Sequence, residues 1–102
     1  MIDKAVLLKF PAEHRVALKR AGYSTWFRIA TSLRPPSAEI ERYIHSLIRG
    51  KPKRLTIRAD EEDFNYVKRI QSDLNHVSQS LVISAMIAWI IEKTYDSNTS
   101  QA

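Results

Sequence analysis

Residues 53–59 alternate between polar and apolar side chains, which predicts a β-strand with one face on a core and the other in solvent. The apolar face carries Leu55, Ile57 and Ala59. The polar face carries Arg54, Thr56 and Arg58. A single strand cannot satisfy its backbone hydrogen-bonding groups, so this one needs a partner from a second copy or from elsewhere in the chain.

Two helical patterns follow this strand. Asp60 is typical of an N-cap, and the three residues after it are acidic, as the positive end of a helix dipole favours. Apolar residues then recur at helical spacing, at Phe64, Val67, Ile70 and Leu74. Ser78 is the predicted N-cap of a second helix, in which residues 81–91 are apolar nearly all round.

An all-round apolar helix cannot be covered by one strand and one neighbouring helix. It must be buried against a second copy or against the first half of the chain. We expect a second copy, which gives a homodimer. The residues expected in its core are Leu55, Ile57, Phe64, Val67, Leu74, Val82, Ile83, Met86, Ile87 and Ile90.

The first half of the chain has a less regular pattern. Its apolar residues predict a short strand at 6–10 and helices at 12–21, from 24 or 25 to 33, and at 37–49. Aligning residues 8–11 with 57–60 gives an offset of 49 residues and suggests a degenerate internal repeat. The outward positions of the first strand are then Ala5, Leu7 and Lys9.

Two breaks divide the sequence, at the Pro35–Pro36 pair and at the Gly50 and Pro52 region. We therefore expect a mostly helical segment over 1–50, without an assigned role, and a second unit over 53–95. Residues 96–102 are polar and are predicted to form a disordered tail.

Composition and charge exclude several classes of protein and of functional site. The 102 residues include 44% hydrophobic and 26% charged residues, as in a folded protein, and the net charge of +5 favours polyanionic partners. Without cysteine, disulfides, thiolate nucleophiles and Cys-type zinc sites are excluded. We expect that the short apolar run near Asp3 is not a signal peptide, and residues 81–91 are too few to span a bilayer. We expect a cytoplasmic location and no membrane partner.

Few residues suggest catalysis or metal binding. His14, His45 and His76 are spaced too irregularly for a metal site, and Gly22 and Gly50 alone cannot form a glycine-rich phosphate loop. We expect no metal, no cofactor and no enzymatic activity.

The order of strand, helix, short turn and apolar helix over residues 53–95 resembles the ribbon-helix-helix family, the MetJ, Arc and CopG type of DNA-binding proteins. The family's turn of glycine, a hydrophobic residue, Ser, any residue and Ser is similar to residues 76–80 here. Asn75 and His76 stand where glycine is usual, and Asn tolerates the left-handed conformation that such a turn requires.

This resemblance implies a mainly α fold with one short strand, in an intertwined dimer whose intermolecular antiparallel ribbon enters the major groove of double-stranded DNA. The implied base contacts are Arg54, Thr56 and Arg58, because arginine matches guanine and threonine suits a base edge or a thymine methyl. The implied phosphate contacts are Ser78, Gln79 and Ser80 at the start of the second helix, with Lys51 and Lys53 near the ribbon.

The resulting hypothesis is a sequence-specific transcriptional repressor or autoregulator of a bacterial chromosome or plasmid, with higher-order assembly on DNA left open. One alternative is an accessory protein of the relaxosome or of plasmid partition, where one chain carries two such units. Another is the antitoxin of a toxin–antitoxin pair. The toxin partner is not favoured, because only residues 96–102 follow the second unit.

Overall fold

The structure, a computed structural model, describes residues 1–9, 14–47 and 52–100. It is mainly helical and holds a two-stranded antiparallel sheet, which confirms the predicted helical class. The elements are β1 (Ile2–Lys9), α1 (Arg15–Arg20), α2 (Tyr23–Ser32), α3 (Ser37–Leu47), β2 (Pro52–Ala59), α4 (Glu61–Asp73) and α5 (Gln79–Ser100).

The partner of β2 is β1 of the same chain. The two strands pair along their whole length, from Ile2 opposite Ala59 to Lys9 opposite Pro52. The expectation of one strand completed by a second copy is therefore wrong, and the alternative of an intrachain partner is correct. That partner begins at Ile2 rather than at the predicted residue 6, and Phe10 lies outside the described residues.

The two strands repeat each other with an offset of 51 residues, not 49. At this offset Val6 and Leu8 correspond to Ile57 and Ala59, and all four are buried. Alternation has a period of two residues, so a shift of two leaves the pattern unchanged, and the sequence alone did not separate the two offsets. The outward positions that correspond to Arg54, Thr56 and Arg58 are therefore Asp3, Ala5 and Leu7.

Helix α5 lies at the centre of the core, where residues 82–91 are all buried. It packs against α2, α3, α4 and β1, and Trp89 Nε1 donates a hydrogen bond to Glu39 Oε2 on α3 at 2.7 Å. The first half of the chain thus provides the cover that we expected from a second copy.

The residues predicted for a dimer core accordingly pack within one chain. Leu55 and Leu74 are half-buried. The others, each at most 3% exposed, are Ile57, Phe64, Val67, Val82, Ile83, Met86, Ile87 and Ile90. Because α2 and α3 already cover them, their burial requires no second copy.

Phe64 shows how closely the two halves are joined. Its ring lies 5.6 Å from that of Phe27 on α2, between centroids, and Lys4 Nζ of β1 lies 4.8 Å from its centroid. On the same side, Thr31 Oγ1 donates a hydrogen bond to Asp63 Oδ1. The segments 1–50 and 53–95, predicted as separate units, therefore share one hydrophobic core.

The turn before α5 has the predicted conformation. Asn75 has φ 60° and His76 has φ 63°, so both are left-handed. Ser78 Oγ accepts a hydrogen bond from the Leu81 backbone N–H at 3.1 Å, which confirms it as the N-cap. At its other end α5 continues to Ser100, so most of the predicted disordered tail is helical, and residues 101–102 lie outside the described part.

Candidate nucleic-acid interface

One face of the ribbon turns away from the core. Arg54, Thr56 and Arg58, the predicted base contacts, are all exposed on it. The register places them opposite side chains of a different kind, since Leu7 faces Arg54, Ala5 faces Thr56 and Asp3 faces Arg58. The two strands therefore present different chemistry, one basic and the other acidic and apolar.

Asp3 and Arg58 form a two-point ion pair across the ribbon. Arg58 Nε lies 2.8 Å from Asp3 Oδ1, and Nη2 lies 3.3 Å from Oδ2. The hydrogen bond from Arg58 lowers the pKa of the Asp3 carboxyl, and the carboxylate raises the pKa of Arg58 in return. Both side chains are at least half exposed, so the pair lies on the surface and is accessible to a partner.

Serine hydroxyls hold a helix start against each edge of the ribbon. Ser80 Oγ, on the first turn of α5, accepts the Leu7 backbone N–H at 3.0 Å. Ser24 Oγ, on the first turn of α2, accepts the Arg58 backbone N–H at 2.9 Å. These two serines occupy the second position of their helices, and they leave a helix N-terminus beside each strand.

Ser84 adds a second bond on the β1 side, where its buried Oγ accepts the Lys9 backbone N–H at 3.0 Å. An edge strand with bonded N–H groups offers less to a further strand. These bonds fix the orientation of the ribbon relative to α2 and α5.

The predicted phosphate contacts are partly brought together. Ser78 caps α5, Gln79 is half-buried, and Ser80 bonds the ribbon while its hydroxyl hydrogen remains able to donate. Lys53 is exposed, but alternation puts it on the ribbon face opposite to Arg54. Lys51 lies outside the described residues.

A shallow surface depression connects the two kinds of candidate contact. It is lined by Ala5, Leu7 and Arg54 of the ribbon together with Ser80 of α5. Arg54, a candidate base contact, and Ser80, a candidate phosphate contact, thus lie side by side. This is the arrangement required if the ribbon lies in a DNA groove and the start of α5 lies at the adjacent phosphates.

The sequence placed Ala5 and Leu7 on the outward face of the first strand but did not indicate that Asp3 and Ser24 belong to this surface. Asp3 and Leu7, the latter 53% exposed, lie beside the predicted arginines, and Ser24 is the counterpart of Ser80 on α2. An alignment of the repeats at the offset of 51 was the signal that identifies Asp3 as the counterpart of Arg54. The pairing of Asp3 with Arg58 has no local signal at all.

Within the described ranges, no cluster of three or more potential metal ligands is present. No helix in the same ranges is both long and apolar enough to cross a bilayer. Comparison with protein-family models, with curated proteins and with solved structures gives no significant match. The resemblance to ribbon-helix-helix proteins therefore stays a prediction from the residues of the sequence.

Proposed function

We propose that this chain is a sequence-specific double-stranded DNA-binding protein that inserts its β1–β2 ribbon into the major groove and represses transcription from the site that it occupies. The observation that supports this most is the exposed row of Arg54, Thr56 and Arg58 on a two-stranded ribbon. Strands in a ribbon are about 4.8 Å apart, and the major groove is about 12 Å wide, so the ribbon fits with its side chains directed at base edges.

Charge and helix starts support the same proposal. The chain carries a net charge of +5, which attracts the phosphate backbone. The N-termini of α2 and α5 lie at opposite ribbon edges, and helix starts favour anions through free N–H groups and the helix dipole. In a groove, each start faces the phosphates of one strand of the duplex.

The intrachain ribbon changes the form of the expected target. A homodimeric ribbon presents the same residues twice and suits a palindrome. Here one strand offers Arg54, Thr56 and Arg58, whereas the other offers Asp3, Ala5 and Leu7. We therefore propose that one chain recognises a short sequence without two-fold symmetry, and that a symmetric operator requires two chains bound side by side.

The proposal is tested by selecting bound sequences from random duplex DNA and measuring affinity for the best one. Arg54→Ala and Arg58→Ala should each weaken binding by about 1–3 kcal/mol and relax the preference at one base position. Arg69→Ala is the matched control, because Arg69 is exposed on α4 and lies outside the ribbon. Equal losses for all three variants, or no selected sequence, contradict the proposal.

Salt dependence separates the two kinds of contact. Affinity should fall steeply with salt concentration, with a logarithmic slope of about −0.9 for each phosphate neutralised. Arg58→Ala should leave that slope nearly unchanged if its guanidinium contacts a base rather than a phosphate. If the slope of this variant is smaller in magnitude by about one, Arg58 contacts a DNA phosphate instead of a base.

A second candidate function has specific support. An accessory protein of the relaxosome or of plasmid partition, with two ribbon-helix-helix units in one chain, matches the intrachain ribbon. Selected motifs distinguish the two roles, since repressor sites overlap a promoter and accessory sites lie at a transfer origin or partition locus. The antitoxin alternative gains no support, because the first half of the chain contributes to the core.

A further inference from the structure

The contact between Asp3 and Arg58 uses one particular edge of the guanidinium group. Arg58 has five N–H donors, and those on Nε and Nη2 that point to the same side face the Asp3 carboxylate. The end edge, formed by one N–H of Nη1 and the second N–H of Nη2, is left unused by Asp3. That end edge is sufficient for a bidentate contact with guanine O6 and N7.

The pair is also well placed to hold the side chain outward. Asp3 and Arg58 are directly opposed in the ribbon register, so both backbones are fixed by the sheet. The Arg58 backbone is further held by Ser24 Oγ at 2.9 Å. A free arginine side chain has many rotamers to lose on binding, and a partner that fixes it in advance reduces this loss.

We propose that Asp3 is a positioning residue for base recognition, which orients the Arg58 guanidinium so that its end edge meets guanine. This inference rests on the proposed DNA-binding function and refines it. The carboxylate does not have to leave when DNA binds, because the two contacts use different edges. Asp3 therefore increases base preference at one position while its negative charge reduces affinity for phosphate in general.

Arg54 provides an internal comparison. It has the same side chain on the same face of the same strand, but its register partner is Leu7, whose side chain has no hydrogen-bond acceptor. A change at Asp3 should therefore alter the preference at the base under Arg58 and leave the preference under Arg54 unaffected.

The test uses the full chain, with Asp3→Asn as the near-isosteric variant and Asp3→Glu as the charge-preserving one. Arg58→Ala and Arg54→Ala first identify which base position each arginine recognises. Affinities are then measured for the best site and for its single-base changes at those two positions. Asp3→Asn should reduce the guanine preference under Arg58 by about fivefold to tenfold, part of what one bidentate pair provides. Binding to unrelated DNA should become tighter, because a negative charge is removed.

Two results overturn the inference while leaving the proposed function intact. If Asp3→Asn binds its best site more tightly with an unchanged guanine preference, Asp3 only competes with DNA for Arg58. If the preferences under Arg54 and Arg58 fall equally, the effect is structural. If the wild-type chain selects no sequence, the proposed function fails, and the inference fails with it.

The free protein offers a second measurement. The Arg58 Nε–H resonance should exchange slowly with solvent in the wild-type chain and in Asp3→Glu, and rapidly in Asp3→Asn. Rapid exchange in the wild-type chain shows that the pair does not hold Arg58, and it overturns the inference whatever the DNA assays give.

Discussion

Phe64 joins the two halves of the chain, and its substitution tests the single-chain core. The side chain is 2% exposed and contacts the Phe27 ring and the Lys4 ammonium group. Phe64→Leu keeps most of the apolar volume but loses the ring pair, worth about 0.5–1.5 kcal/mol, and the cation–π contact, worth about 0.5–1 kcal/mol. We expect it to lower the free energy of unfolding by about 1–2.5 kcal/mol, and Phe64→Ala to lower it by about 3–5 kcal/mol.

The assay is urea unfolding followed by tryptophan fluorescence, at two protein concentrations about 100-fold apart. If Phe64 packs within one chain, the midpoint and the loss are the same at both concentrations. If Phe64 packs across two copies, the free energy of unfolding of the dimer rises by about 2.7 kcal/mol over the 100-fold increase in protein concentration. Ile29→Ala, at a position 41% exposed on α2, is the control and should change stability by less than about 0.5 kcal/mol. A concentration-dependent midpoint, or no loss in Phe64→Leu, refutes the reasoning.

Three further predictions concern the turns and the ion pair. Gly22→Ser should raise stability by about 0.5–1 kcal/mol, since Gly22 is the extended N-cap of α2 and a Cβ there meets no atom within 4 Å; a lower melting temperature contradicts this. His76→Gly should stabilise the chain by about 1 kcal/mol by relieving the left-handed backbone at φ 63°, and a lower melting temperature contradicts this. The Asp3 carboxyl has a lowered pKa, so its contribution is complete above its ordinary value of 3.8 and is lost as the pH falls through the lowered pKa. Urea midpoints of the wild-type chain and Asp3→Asn should therefore converge in acid, and a constant gap disproves the linkage.

Local signals in the sequence predicted the second half of the fold well. The Asp60 backbone N–H donates to Asp63 Oδ2 at 3.0 Å at the start of α4, where the acidic residues indicated a helix start. Ser78 caps α5, and Asn75 is left-handed as expected. Each of these features depends on residues within a few positions of one another, so composition and spacing were sufficient.

The long-range features escaped prediction for a physical reason. Alternation shows which face of β2 is apolar, but it does not show which strand pairs with it or in which register. An all-round apolar helix shows that cover is needed, and α2 and α3 could not be assigned to that role from their own short patterns. For the same reason the sequence predicted that Arg58 is exposed without showing that Asp3 is bonded to it.

If the ribbon recognises DNA as proposed, its formation within one chain affects how recognition can change during evolution. In a homodimer, one codon change alters two symmetry-related positions, so a beneficial contact on one side is coupled to its duplicate on the other. In this chain Leu7 and Arg54 face each other but are encoded by separate codons, so each residue can change while the other is retained. Under the proposed function, libraries that randomise Ala5 and Leu7 alone should therefore alter one half of the recognised sequence without altering the other.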